Sequence, residues 1–321
     1  MKSFAALALA TLIVAAGQGS DAATTRPGRI AFSLDRNYVS AIYTIRPDGS
    51  GLRQLTRPVV HQGFGGDSGP VWSRDGRLIA FERDLPYWGA DRFRVHVIGA
   101  DGRRQRAVTA GPFDVMPTWS PDRTRLAFVR LLIGDVLTSS SIYTVRLGGR
   151  PVGLIAGNRD VTPSWSPDGR TIAFARLPTT AGGPADPQLF LADANGSDVR
   201  SLGIRGVQPA WSPDGSRLAF VSYADQNGQT CARDDCTPNG EIYVVGADGE
   251  GLHRLTQSNA DDTHPTWSPD GGRIAFASGY ELARSGHPPW LMVVPAAGGR
   301  AARITPLAGV RDPAWSPASV R

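Results

Sequence analysis

A chain of 321 residues with 38 glycines, 25 prolines and 41% hydrophobic residues can bury a large core and is punctuated by many turns. Its formal net charge of +5 comes from 34 basic and 29 acidic residues, and Lys2 is the sole lysine. The arginines are dispersed, Arg103, Arg104 and Arg106 being the tightest group. That dispersal argues against the concentrated basic stripe of a nucleic-acid binder, so no nucleic-acid partner is expected.

The first element in chain order is a leader. One positive charge at Lys2 precedes an apolar run from Phe4 to Ala16, and small residues follow as far as Ala23. The run is too short to cross a bilayer comfortably, so residues 1–23 are read as a secretory signal peptide cleaved between Ala16 and Ala23. No later apolar run reaches membrane length. The expectation is an exported chain, periplasmic or secreted, without a transmembrane segment.

From Ile30 onwards the sequence repeats. A first unit supplies an apolar strand at Ile30, a second at Ile42 (IYTI), a glycine turn PDGSG from Pro47, and a short strand ending at Leu55-Thr56. A tryptophan phrase then opens each following unit: at Trp72, then PTWSPD from Pro117, PSWSPDG from Pro163, PAWSPDG from Pro209 and PTWSPDG from Pro265. Each phrase predicts an inner strand A and a tight turn, which as S-P-D-G carries proline at its second position and glycine at its fourth. A strand B (IAF or a variant), a strand C (VHVI, IYTV, LFLA, IYVV, LMVV) and a short strand D follow. A period in the forties with one tryptophan per unit is a propeller signal.

Strands B, C and D occur six times, whereas the first unit has no strand A and the chain ends on an unpaired one, PAWSP from Pro313. The expected fold is therefore all-β: a six-bladed β-propeller of four-stranded antiparallel blades over residues 28–321. It is closed by pairing the C-terminal strand with the N-terminal blade, which shields the sheet edges. The six tryptophans read as packing between blades, and a monomer is expected.

The unit P-x-W-S-P-D-G-x-x-[IL]-A-F, followed by an IY strand and a DG turn, resembles the repeat of the TolB-like propeller family over nearly the whole chain after the leader. The resemblance implies the propeller fold and, through the family's namesake, a role in protein–protein contacts at the cell envelope. Few residues separate the leader from Ile30, so the α/β domain that precedes the propeller in TolB itself is expected to be lacking.

In such a ring the short A–B and C–D turns share one face, and the long B–C and D–A connections share the other. Function is placed on that long-loop face. Asp67, Asp114, Asp160 and Asp262 each stand three residues before a strand-A proline, with Gly206 and Val310 in the other two units. They read either as carboxylates at the channel mouth, able to bind a basic partner or Ca²⁺, or as caps accepting backbone N–H bonds. No other cofactor and no metal centre are expected. His61, His264 and His287 fall on the same face, as do Tyr87 and Trp88, which with Trp290 offer stacking surfaces for carbohydrate. His96 and His253 read as structural. Cys231 and Cys236, the sole cysteines, predict a local disulfide in the longest insertion. The segment GDSGP from Gly66 resembles a serine-protease nucleophile motif, but Ser68 lies in a connection and no catalytic residue is assigned. The function read from the sequence is a binding module for a protein or envelope component. The competing reading is a hydrolase or lyase, with or without a metal, acting at the channel mouth.

Overall fold

The computed structural model describes residues 28–37, 39–60, 65–85, 93–111, 113–133, 137–155, 159–178, 187–224, 239–279 and 288–317. Among them the chain forms strands and no helix, arranged as repeated A-B-C-D units. The second unit shows the pattern, with A at Gly65–Trp72, B at Leu78–Asp84, C at Phe93–Gly99 and D at Arg106–Ala107. The next four are separate four-stranded antiparallel sheets whose A strands are Asp114–Trp119, Asp160–Trp165, Val207–Trp211 and Asp261–Trp267.

The first blade is assembled from both ends of the described chain. Its B strand, Ile30–Arg36, pairs antiparallel with Val310–Trp315, setting Ile30 opposite Trp315 and Ala31 opposite Ala314. That is the register of a continuous blade, where Trp72 faces Ile79 and Val71 faces Ala80. The seam also reproduces the turn's hydrogen bonds. Ser316 N–H donates to Arg29 O (2.7 Å) as Ser73 N–H does to Leu78 O (2.9 Å). Arg29 N–H donates to Ser316 Oγ (2.7 Å) as Leu78 N–H does to Ser73 Oγ (3.0 Å). One feature is not written in the repeat: a short parallel bridge, Val39 to Gly65 and Ser40 to Gly66, fuses the first two blades into one sheet.

Each repeated residue has a visible task. In the S-P-D-G turn the serine hydroxyl donates to the aspartate, at 2.5 to 2.7 Å for Ser73, Ser120, Ser166, Ser212 and Ser268. The same oxygen accepts the N–H that opens strand B, as at Arg125, Thr171, Arg217 and Arg273. Those hydroxyl bonds, with backbone N–H donors, hold Asp122, Asp168 and Asp270 below the usual carboxylate range and Asp214 at about 2. The turn's last position needs φ near +70°, as at Gly169 (74°). The third blade places Arg123 there at 62°, a conformation that costs an L-residue strain.

Phe32, Phe81, Phe128, Phe174, Phe220 and Phe276 are at most 1% exposed and form the blade cores. Each faces a strand-C partner across the sheet: Tyr43, His96, Tyr143, Phe190, Tyr243 and Met292. Fully burying such a ring is worth about 2 to 3 kcal/mol. His96 lies tilted against Phe81, ring centroids 5.7 Å apart, and burial, then the nearby Arg83, push it down to about 4, so it is neutral. The tryptophans tie blade to blade. The indole N–H of Trp72, Trp119, Trp211 and Trp267 donates to the carbonyl of Ala314, Val71, Ser164 and Ala210, the residue before the tryptophan one blade earlier. Trp165 departs by bonding Gly169 O in its own turn (3.3 Å).

Candidate functional site: the axial channel and its ring

Every A strand breaks register just before its proline, as between Ser68 and Val71, Val115 and Thr118, Val161 and Ser164, Val207 and Ala210, and Thr263 and Thr266. Proline has no N–H to give a ladder, so a bulge there forfeits no hydrogen bond. The residue in front of the proline adopts positive φ in all six blades: Gly69 58°, Met116 54°, Thr162 51°, Gln208 55°, His264 54° and Asp312 50°. These six residues line an axial cavity of about 1230 Å³.

They are joined side to side. Gln208 N–H donates to Thr162 Oγ1 (3.2 Å), His264 N–H to Gln208 Oε1 (2.7 Å), Thr162 N–H to Met116 Sδ (3.4 Å), and Gly69 N–H to Asp312 Oδ2 (3.2 Å). Gly69 has no side chain to offer the next blade, and Glu82 from strand B takes its place, accepting Met116 N–H at 2.7 Å. The two facts are coupled, because a Cβ on Gly69 would stand 2.9 Å from Glu82 Oε1.

One side of the ring is acidic. Asp312 Oδ2 also accepts the Ser33 hydroxyl (2.9 Å), and Oδ1 lies 3.2 Å from His264 Nε2. The same His264 nitrogen meets Gln208 Nε2 at 3.0 Å, while Nδ1 is buried without a partner. Burial, reinforced by the negative charge of Asp312, pushes Glu82 up to about 7 in spite of its bond from Met116 N–H. Asp35 and Asp84 also line the cavity, Asp35 being paired with Arg311 at 2.5 Å. Ser68 lies 3.5 Å from Glu82. The channel thus offers hydrogen-bond acceptors and carboxylates on one side and Met116 and Thr162 on the other.

The structure corrects the expectation of an aspartate ring at the channel mouth. Asp67, Asp114, Asp160 and Asp262 are at most 1% exposed, and none lines the axial cavity; the residue two positions on does. Register explains the first three. Asp67, Asp114 and Asp160 stand directly opposite Arg83, Arg130 and Arg176 across the A–B ladder. Each guanidinium grips its carboxylate through Nε at 2.6 Å and a second nitrogen at 2.8 to 3.0 Å. The same guanidinium lies over the blade's aromatic pair, 4.8 Å from Tyr143 for Arg130 and 4.5 Å from Phe190 for Arg176. Such geometry makes a strong bidentate pair, and Asp114 Oδ2 also accepts Gly111 N–H (3.2 Å), as a cap would. His264, expected on the long-loop face, lies inside strand A at the axis. Trp290 opens a C strand beneath Arg303, 4.4 Å from its ring. Tyr87, Trp88, His61, His287, Cys231, Cys236 and the leader fall outside the described residues.

Glu82, Met116, Thr162, Gln208 and Asp312 were not singled out from the sequence. For the last four the signal was present: in a phrase that otherwise repeats, the residue before the proline differs in every blade. Among the described residues no three His, Cys, Asp or Glu side chains gather into a metal-binding group, and no helix is long and apolar enough to cross a membrane.

Fold and site together define a β-propeller with a hydrogen-bonded axial ring. The TolB beta propeller domain matches the chain over residues 87–231 and again over 207–319, and the chain belongs to that family. Among solved structures it is similar to TolB from Acinetobacter baumannii (TM-score 0.69, 20% identity, 90% of this chain and 67% of that one). A protein assigned as TolB in Agrobacterium tumefaciens gives TM-score 0.62 at 19% identity, over 89% and 91% of the two chains. An oligogalacturonate lyase in complex with manganese gives TM-score 0.56 at 18% identity, over 87% and 74%. At these identities the likeness is one of fold.

Proposed function

We propose that this protein is an exported, monomeric binding module whose long-loop face and axial channel receive another protein or a cell-envelope component. The observation that carries this reading is the ring. Its side chains are spent on holding one another in a fixed circle, which suits a preorganised receptor. Among the described residues, the histidine of the channel touches Gln208 and Asp312 and no hydroxyl or thiol, so a serine–histidine or cysteine–histidine pair is lacking there. Family membership supports a propeller module, and the signal-like leader supports export.

Chemical cross-linking on native envelopes tests it. A partner captured by the wild-type chain is expected to be lost when residues 225–238 are shortened and when Met116→Arg narrows the channel. Capture that survives both changes contradicts the proposal. One observation favours a second reading, a hydrolase or lyase: Glu82, pushed up to about 7, is a carboxyl able to give or take a proton at neutral pH, beside an Asp312–His264 contact. Turnover of an envelope polysaccharide or peptide that Glu82→Gln abolishes would establish the enzyme.

A further inference from the structure

Three blades treat their buried aspartate alike, and the sixth does not. Asp262 occupies the same ladder position as Asp67, Asp114 and Asp160 and is 1% exposed, but the residue opposite it is Ser278 where the others have arginine. The remaining two blades lack the aspartate as well as the arginine, with Gly206 and Ser222 in one and Val310 and Leu34 in the other. Asp262 is therefore the one member of the series that keeps the anion without its guanidinium.

Among the described residues, the neighbourhood does not replace that charge. Glu241, fully buried in the adjoining blade, already takes Arg254 (2.7 Å), the Thr256 hydroxyl (2.7 Å), Ser258 N–H (2.9 Å) and Asn239 Nδ2 (3.1 Å). Among the described residues, Asp262, Glu241 and Arg254 leave one negative charge over. Hydroxyl protons are committed too: Thr256 gives its own to Glu241, and Ser258 gives its own to Ala260 O (2.9 Å). Ser278, Thr256 and Ser258 all stand within hydrogen-bonding reach of the Asp262 carboxylate, but a hydroxyl has one proton to donate, so Ser278 is the one left to serve it. Two side-chain oxygens, Asp262 Oδ1 and Asn239 Oδ1 (4% exposed), have no hydrogen-bond partner. Both belong to the cluster around Ser258, whose carbonyl accepts Asn239 Nδ2 at 2.7 Å. Backbone bonds hold the two segments together, Gly240 N–H to Asp261 Oδ1 (2.7 Å) and Asp262 N–H to Gly240 O (2.8 Å).

We infer that Asp262 and Asn239, with the hydroxyl oxygens of Ser258, Thr256 and Ser278, form a site for a hard cation where blades two to four place an arginine. All the donors are oxygen, which selects calcium-like ions over zinc or copper. Two buried acceptors without donors are what such an ion would satisfy.

The test is calorimetric titration of Ca²⁺ into the full chain, stripped of metal, at pH 8. One Ca²⁺ per chain is expected, with affinity reduced at least tenfold in Asp262→Asn and in Ser278→Arg and unchanged in Glu82→Gln. Ser278→Arg carries the decision if Asp262→Asn fails to fold, since it restores the pair seen in three sister blades. Its melting temperature should not move with Ca²⁺, whereas that of the wild type should rise. Absence of Ca²⁺ binding by the wild type overturns the inference, and so does wild-type affinity in Ser278→Arg.

Discussion

At the scale of single residues, the same carboxyl group meets three fates in this molecule, and each has a pH signature. Turn aspartates held low by serine hydroxyls contribute stability that is present above about pH 4 and is lost as pH falls through their folded values, about 2 for Asp214. Glu82 and Asp262 are raised, to about 7 and about 6, so their contribution is complete below about pH 4 and is lost as pH climbs through those values. Thermal melts of the wild type should therefore show greatest stability near pH 4, and Glu82→Gln should flatten the decline between about pH 4.5 and 7. A Glu82→Gln variant that keeps the full decline would contradict this assignment. The third fate is pairing. Arg83, whose side chain is 8% exposed, cannot be removed without leaving Asp67 buried and uncompensated. Chemical denaturation of Arg83→Met should show a loss of about 3 to 5 kcal/mol, with part of it recovered when Asp67→Asn is added.

Among the elements, the tryptophan phrase divides cleanly into scaffold and ring. Its serine and aspartate build the turn, its tryptophan joins neighbouring blades, and its proline allows the bulge that swings the preceding residue onto the axis. Trp119→Phe removes the 3.2 Å bond to Val71 O and part of a packed ring; denaturant melts should report a loss of about 1 to 2 kcal/mol. How far each element could be read from sequence follows from the same division. Strand order and turn chemistry are written in a period, because backbone tasks recur in every blade. The bulge is not, because φ at Met116 or His264 leaves no compositional mark beyond the proline that follows. Asp67 and Arg83 are sixteen positions apart, and that they meet is a matter of register. The arginine's presence in the blades with Asp67, Asp114 and Asp160, and its replacement by Ser278 beside Asp262, becomes a signal only once the ladder is known. The bridge from Val39 to Gly65 has no counterpart in other blades, so no repetition could reveal it.

For the whole molecule, ring and scaffold depend on one seam. Asp312, which bonds Ser33, Gly69 and His264, lies in the strand contributed by the chain's C-terminal end, so the channel's acidic side is complete only when that strand lies beside Ile30–Arg36. Removing residues 310–321 should expose the edge of the first blade and abolish cooperative melting, with aggregation seen by light scattering. The most direct measurement is a cross-link between the paired residues Ala31 and Ala314. Ala31→Cys/Ala314→Cys is expected to oxidise readily to an intramolecular disulfide, seen as faster migration in non-reducing gels and a higher melting temperature. Two persistently free thiols at these positions in the folded protein would mean that the ends do not meet, and the axial receptor would go with them.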